Sequence, residues 1–209
     1  MSTTEAYCLA SFEHPLLDCQ AFLTQLDTPL GEQISSTALV ELLSASSSDS
    51  QSWDSETKPA IRRLLRVGGF KPSGRNKPAS EYLVQAIEKG RLGSINPVVD
   101  IINVASHRGG IPISVLDYDR LIGLPRLVMG GPGESYVFNA SGQMIDVSGL
   151  LCLADDEGPC ANGVKDSQRT KTCAATRRIL TILWGTKELP GRTAQVASQY
   201  RQLIDNFVA

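Results

Sequence analysis

The sequence predicts an α+β fold with a mainly antiparallel sheet flanked by helices. Two observations carry this. Between residues 35 and 110, apolar residues recur in helical runs, several of them bounded by Gly or Pro. After residue 111 the period shortens to brief β-rich runs separated by turn residues. Helices first and strands later is the order of an α+β chain.

The elements follow in order. "YCLASF" (7–12) reads as a first strand, while "HPLLDCQAFLTQLDTPLG" leaves helix and loop both open. "SSTALVELLSAS" is a short helix capped by Ser35 or Ser36. Residues 44–57 hold five serines within 44–50 and three acids in all, a composition that buries little and predicts an exposed loop or linker. "TKPAIRRLLRVGG" is a helix with Thr57 as N-cap and Gly68-Gly69 as stop; Ile61, Leu64 and Leu65 form its stripe. "PASEYLVQAIEKG" is a second, capped by Ser80. "INPVVDIINVASHRGG" is a third, opened by Asn96-Pro97 and apolar on more than one side, hence buried from several directions. "IPISVL", "RLVMG", "SYVFNASGQMIDV" and "LLCLADD" are strands, with a hairpin loop at residues 139–142. "TCAATRRILTILWG" reads as strand-to-helix, and "TAQVASQYRQLIDNFVA" as a terminal helix.

The 209 residues suffice for one large domain or two small ones. The division expected is an acidic segment, 1–57, packed on a module of residues 58–209, the whole forming one compact unit. No apolar run reaches transmembrane length and the first residues lack a signal-peptide pattern, which predicts a cytoplasmic protein with no membrane partner. Five cysteines at irregular spacings make a poor disulfide framework and no zinc site, so neither metal nor cofactor is expected.

The net charge of −2 conceals a segregation. Residues 1–57 carry nine acids and no base, whereas residues 58–91 carry nine bases and two acids. A block this basic either meets a phosphate-bearing partner or neutralises the acidic segment across an internal surface.

Few motifs carry chemistry. His14 and His107 sit beside no nucleophile elbow and read as structural residues. "MGGPGES" (129–135) resembles a phosphate loop but lacks the Lys-Ser/Thr and helix that such a loop requires, so it reads as a turn. Asp117 and Asp119 stand two apart, as a carboxylate pair or as caps of the following turn. "KDSQRTKT" (165–172) groups Asp166, Ser167, Arg169 and Thr170, either as a capping loop or as donors and acceptors for a ribose or an amino-acid group.

Several stretches together resemble one family. They are "NPVVDIINVASHRGGIPISVLDYDRLIGLPRLVMGGPGESYVF", "FKPSGRNKPASEYL" and "KDSQRTKT…TRRIL". The first is similar to the B3/B4 tRNA-editing module of the phenylalanyl-tRNA synthetase beta subunit, and the other two resemble free-standing members. The resemblance implies a compact α+β module that meets the aminoacylated acceptor end of a tRNA and hydrolyses a mischarged ester in trans, with no aminoacylation and no DNA partner. It places Asn103 on the helix lining the editing pocket and Ser114 where the synthetase module has a pocket histidine. Residues 157–172 hold no counterpart of the glutamate that recognises a tyrosine hydroxyl, which argues against a tyrosine-specific activity and leaves the pocket. Asn103, Ser114, Asp166, Ser167 and Thr170 are then the expected catalytic set, holding a water or, for Asp166, a substrate amino group. Lys71, Arg75, Asn76, Lys77, Glu81, Asp117, Asp119 and Arg169 are the expected substrate contacts. Glu81 is expected to hold Arg75 or a ligand amine. A non-catalytic RNA or tRNA binder and an amino-acid-like small-molecule binder stay open beside this reading.

Overall fold

The computed structural model describes residues 2–45 and 53–208. Among the described residues, nine strands, five α-helices and four short 3-10 turns occur, in the order β1 (Thr3–Ala6), β2 (Leu17–Gln25), α1 (Thr37–Ala45), α2 (Thr57–Arg66), α3 (Ala79–Glu88) and α4 (Pro97–Gly109). Then come β3 (Ile113–Asp117), β4 (Arg126–Met129), β5 (Ser135–Val137), β6 (Met144–Asp146), β7 (Leu151–Asp155), β8 (Gly158–Asn162), β9 (Arg178–Thr186) and α5 (Arg192–Phe207). Every strand pairing is antiparallel. The α+β class read from the sequence is the class observed.

The strands form three sheets, ordered β1-β2-β9-β3, β4-β7-β8 and β5-β6. Strand alternation assigns the faces of the largest. Phe22, Ile113, Ile179 and Leu183 point into one core with α1, α4 and α5, whereas Ala21, Leu116, Leu180, Ile182 and Trp184 point into a second with Leu151 and Leu153 of β7. The other face of β7, through Cys152, packs on Tyr136 and Ile145 of the β5–β6 hairpin in a third core. Helix α2 supplies one residue pair or side chain to each core: Ala60 and Ile61, then Leu64, then Leu65. It therefore runs past the stacked layers and locks their spacing.

Several sequence expectations change. Residues 7–12 are not a strand; Tyr7, Leu9 and Phe12 instead cover the rim of the second core, and the strand before them is Thr3–Ala6. The stretch left open as helix or loop is β2, because it pairs along nine residues with β9. Strand β8 went unread because Gly158 and Pro159 disfavour a strand; it lies at a sheet edge, where a missing N–H is tolerated. Asp54, not Thr57, caps α2: its Oδ1 accepts from the Thr57 amide (2.9 Å) and hydroxyl (2.8 Å). Ser80 lies inside α3, which opens after Pro78. Strand β9 runs to Thr186, and helix resumes only at Arg192. The exposed-linker expectation for 44–57 falls largely on residues 46–52, outside the described residues.

Helix α4 keeps its sequence reading. Asn96 Oδ1 accepts from the Val99 amide at 3.0 Å, and Gly110 closes the helix with a left-handed φ of 74°. Asn96→Ala should cost about 1 kcal/mol in urea unfolding with an unchanged m-value, since one orphan amide loses its acceptor.

Candidate functional site

The edge strands of two sheets meet at Ser114. Its parity with Leu116 turns its side chain toward β7 and β8. There it is 1% exposed and fully engaged. Trp184 Nε1 donates to Ser114 Oγ at 2.9 Å, while the Ser114 hydroxyl lies 2.7 Å from Asp166 Oδ1 and 3.3 Å from the Asn162 carbonyl. An indole N–H only donates, so Ser114 Oγ accepts from Trp184 and its own proton goes to the nearer acceptor, Asp166. The Asn162 amide also donates to Asp166 Oδ1, at 3.2 Å.

The loop carrying Asp166 is built by Asn162. Its Oδ1 accepts from the Val164 amide (2.8 Å) and the Lys165 amide (3.0 Å), and its Nδ2 donates to the Tyr136 hydroxyl. Tyr136 donates in turn to the Lys165 carbonyl at 2.6 Å. Asp166 itself is half-buried. Desolvation pushes its carboxyl up to about 7, against the opposing pull of the Ser114 hydroxyl, the Asn162 amide and Lys171. Burial also raises Tyr136 and pushes the Cys152 thiol up and the Cys160 thiol to about 12, so these neighbours stay neutral.

Lys171 acts electrostatically on this carboxyl. Lys165 Nζ sits 4.2 Å from the centre of the Phe138 ring, and Lys171 Nζ donates to the Phe138 carbonyl. The 71–77 loop is rigid: Pro72 and Pro78 are buried, Gly74 takes a φ of 58°, and Tyr82 Oη donates to its carbonyl at 3.2 Å. The Ala79 amide then donates to the Gly163 carbonyl at 2.9 Å, tying this loop to the Asp166 loop. The result brings Arg75 into electrostatic reach of Lys165, whose pKa is lowered by burial and by Arg75. Lys71 and Arg75 are exposed, and Asn76 and Lys77 half-buried.

The structure thus brings together Ser114, Asp166 and, through Lys165, Arg75. Other expected site residues are engaged elsewhere. Asn103 is half-buried on α4, which packs on the opposite face of the largest sheet from Ser114, so the two do not share a site. Glu81 does not hold Arg75: Arg62 takes both its oxygens at 2.7 Å, leaving nothing for a ligand amine. Asp117 is buried, accepting from the Asp119 amide and, at 2.7 Å, from Thr176 Oγ1. Asp119 pairs with Arg178. Arg169 is a bidentate partner of fully buried Asp155 at 2.7 and 2.8 Å. Ser167 caps the turn at Arg169, and buried Thr170 donates to the Cys160 carbonyl. Asp117 and Ser167 thus act as caps of the turns that follow them. Asn162, Tyr136 and Trp184 were missed, because no local motif joins residues from β5, β8 and β9; Lys165 and Lys171 lie within the quoted 165–172 stretch but were not singled out in it.

The remaining motifs are structural. Glu134 and Ser148 occupy the amides of Gly131 (2.6 Å) and Gly133 (2.9 Å) in the "MGGPGES" turn. His14 Nδ1 accepts from the Leu17 amide at 3.1 Å, and burial lowers its pKa. Among the described residues, the basic block touches the acids of 1–57 through Arg63 and Glu56, 3.9 Å apart, so internal neutralisation accounts for little of it. No described helix is long and apolar enough to cross a membrane.

Layered antiparallel sheets thus place a half-buried acid where the edges of two of them meet. The B3/4 domain model matches residues 69–197, and the chain belongs to that family. It is 29% identical over 140 residues to the phenylalanine–tRNA ligase beta subunit of Bartonella henselae and 28% identical to that of Bartonella quintana, each match covering 64% of this chain. The beta subunit from Nitrosospira multiformis is 32% identical over 85 residues, 39% of this chain. The chain spans 17% of the length of the first two relatives and 11% of the third.

The raised acid has a consequence for stability. Folded Asp166 holds its proton to about pH 7, whereas the unfolded residue loses it near 4. The folded state therefore loses stability as pH rises from about 4 to about 7, and the cost is complete above that. Asp166→Asn keeps the acceptor for Ser114 and Asn162 and removes this cost. Its stability relative to wild type should grow across that window by on the order of 3 kcal/mol in denaturant titrations at pH 5 and pH 8.

Proposed function

We propose that this chain binds the aminoacylated acceptor end of a tRNA and hydrolyses its ester in trans, with Asp166 as general base. The supporting observation is a half-buried carboxyl at the meeting point of two sheet edges, held by Ser114 and the Asn162 amide, pushed up to about 7 by desolvation and acted on by Lys171. In its ionised form Asp166 takes a proton from a water whose oxygen attacks the ester carbonyl. Lys165 and Lys171 offset the charge developing on the carbonyl oxygen. Collapse of the tetrahedral intermediate expels the ribose hydroxyl, which recovers the proton, and gives free amino acid and uncharged tRNA. Ser114 is too buried to meet substrate; it and the Asn162 amide hold the Asp166 carboxyl in place. Lys71, Arg75 and Lys77 contact phosphates, which positions the acceptor strand without reading sequence. The aminoacyl ester is already activated, so a site lacking a histidine base still suffices. Such work belongs where tRNA is charged, consistent with a cytoplasmic protein.

A panel of mischarged tRNAs should show deacylation of at least one member above the spontaneous rate. The rate should rise with pH through about 7, as the base ionises, and Asp166→Asn should lower it about 10²–10⁴-fold. If no member is deacylated while filter binding shows a log–log salt dependence, the chain is a binder without chemistry. A binding isotherm for free amino acids with little salt slope would instead support a small-molecule site.

A further inference from the structure

We propose that the cleft at His14 is a separate ligand site, which binds the zwitterionic head of a free α-amino acid with an apolar side chain. It shares no residue with the Asp166 site and does not rest on the ester-hydrolase reading. The ladder between β2 and β9 ends at Leu17 and Thr186, and the Lys187 amide extends it by donating to the Leu16 carbonyl at 2.8 Å. Lys187 is thereby set against the turn that leads into β2. Phe12, Glu13, His14, Pro15, Leu17 and Lys187 line an open cleft of about 620 Å³ there.

His14 carries the argument. Its Nδ1 accepts from the Leu16 amide (3.3 Å) and the Leu17 amide (3.1 Å), so Nδ1 bears no proton and Nε2 bears one. Burial and Lys187 both lower its pKa, which keeps the ring in this neutral tautomer. The residue is 7% exposed, and Nε2 is buried without a hydrogen-bond partner. A buried donor with no acceptor is costly, and such a group calls for a partner from outside the fold. The rest of the lining defines that partner. Lys187 is exposed, and its Nζ makes a long contact, 3.4 Å, with the His14 carbonyl. On binding, Lys187 leaves this carbonyl for one carboxylate oxygen, and Nε2–H donates to the other. Glu13 is exposed on the same cleft and, among the described residues, forms no ion pair with Lys187, so it receives the α-ammonium. Phe12, whose ring stacks on His14 at 6.3 Å, forms with Pro15 and Leu17 an apolar wall for the side chain. A simple anion would meet Glu13 uncompensated, and a simple amine would face Lys187 and leave Nε2 unpaired. A zwitterion satisfies all three groups.

The test titrates the full chain with L-leucine, with N-acetyl-L-leucine, which lacks the ammonium, and with L-leucinamide, which lacks the carboxylate. Leucine should bind saturably and shift the His14 Nε2 resonance in long-range proton–nitrogen NMR, and each derivative should bind about tenfold more weakly. His14→Asn keeps an acceptor for the Leu16 and Leu17 amides but has no Nε2–H, and Lys187→Gln alters an exposed side chain, so both variants should fold. Each should weaken leucine binding about tenfold in calorimetry. No saturable shift of the ring, a derivative that matches leucine, or an affinity that either variant leaves unchanged would overturn the proposal. The last result would place amino-acid binding elsewhere on the chain.

Discussion

One hydrogen bond joins the edges of two sheets: Ser114 on β3 to Asp166 on the loop leaving β8. Its direction is fixed by a third element, since the Trp184 indole on β9 occupies the serine oxygen as a donor. Burying a polar chain of this kind is costly unless every member finds a partner. Here each does, through Asn162, Tyr136 and the amides of the 162–165 turn. The carboxyl stays desolvated because α2 fixes the layers around it, contributing Leu64 and Leu65 to the two cores on either side of β7.

The same tie organises charge. A Cβ at Gly163 would meet Leu65 and Pro112 at ordinary contact distance, and the Gly163 carbonyl anchors the start of α3. A cationic loop that would otherwise be a solvated connector is thereby held against the Asp166 loop. The acidic first segment contributes structure rather than neutralisation: β2 lies between β1 and β9 in the largest sheet.

Much of the fold was legible because it is local. Asn96 and Gly110 bracket α4 in the sequence as they do in space, and the hairpin loop at 139–142 declares itself by its residues. Strand β2 was not legible as a strand, since pairing with a partner some 160 residues later decides its conformation. The site divides along the same line. Asp166 stood out in a cluster of polar residues, but its neighbours Ser167, Thr170 and Arg169 proved to be capping and pairing groups. Asn103 was drawn in by family likeness, and the parity of β3 separates it from Ser114. Trp184 and Tyr136 could not be found at all without the sheet registers, because an aromatic residue in a strand signals only a core.

The state of the Asp166 carboxyl bears the most weight, and carboxyl-carbon NMR reads it directly. With the resonance assigned by its loss in Asp166→Asn, titration from pH 4 to pH 9 should give a midpoint near 7. A midpoint in the ordinary aspartate range, about 4, would contradict both the desolvated site and the general base built on it.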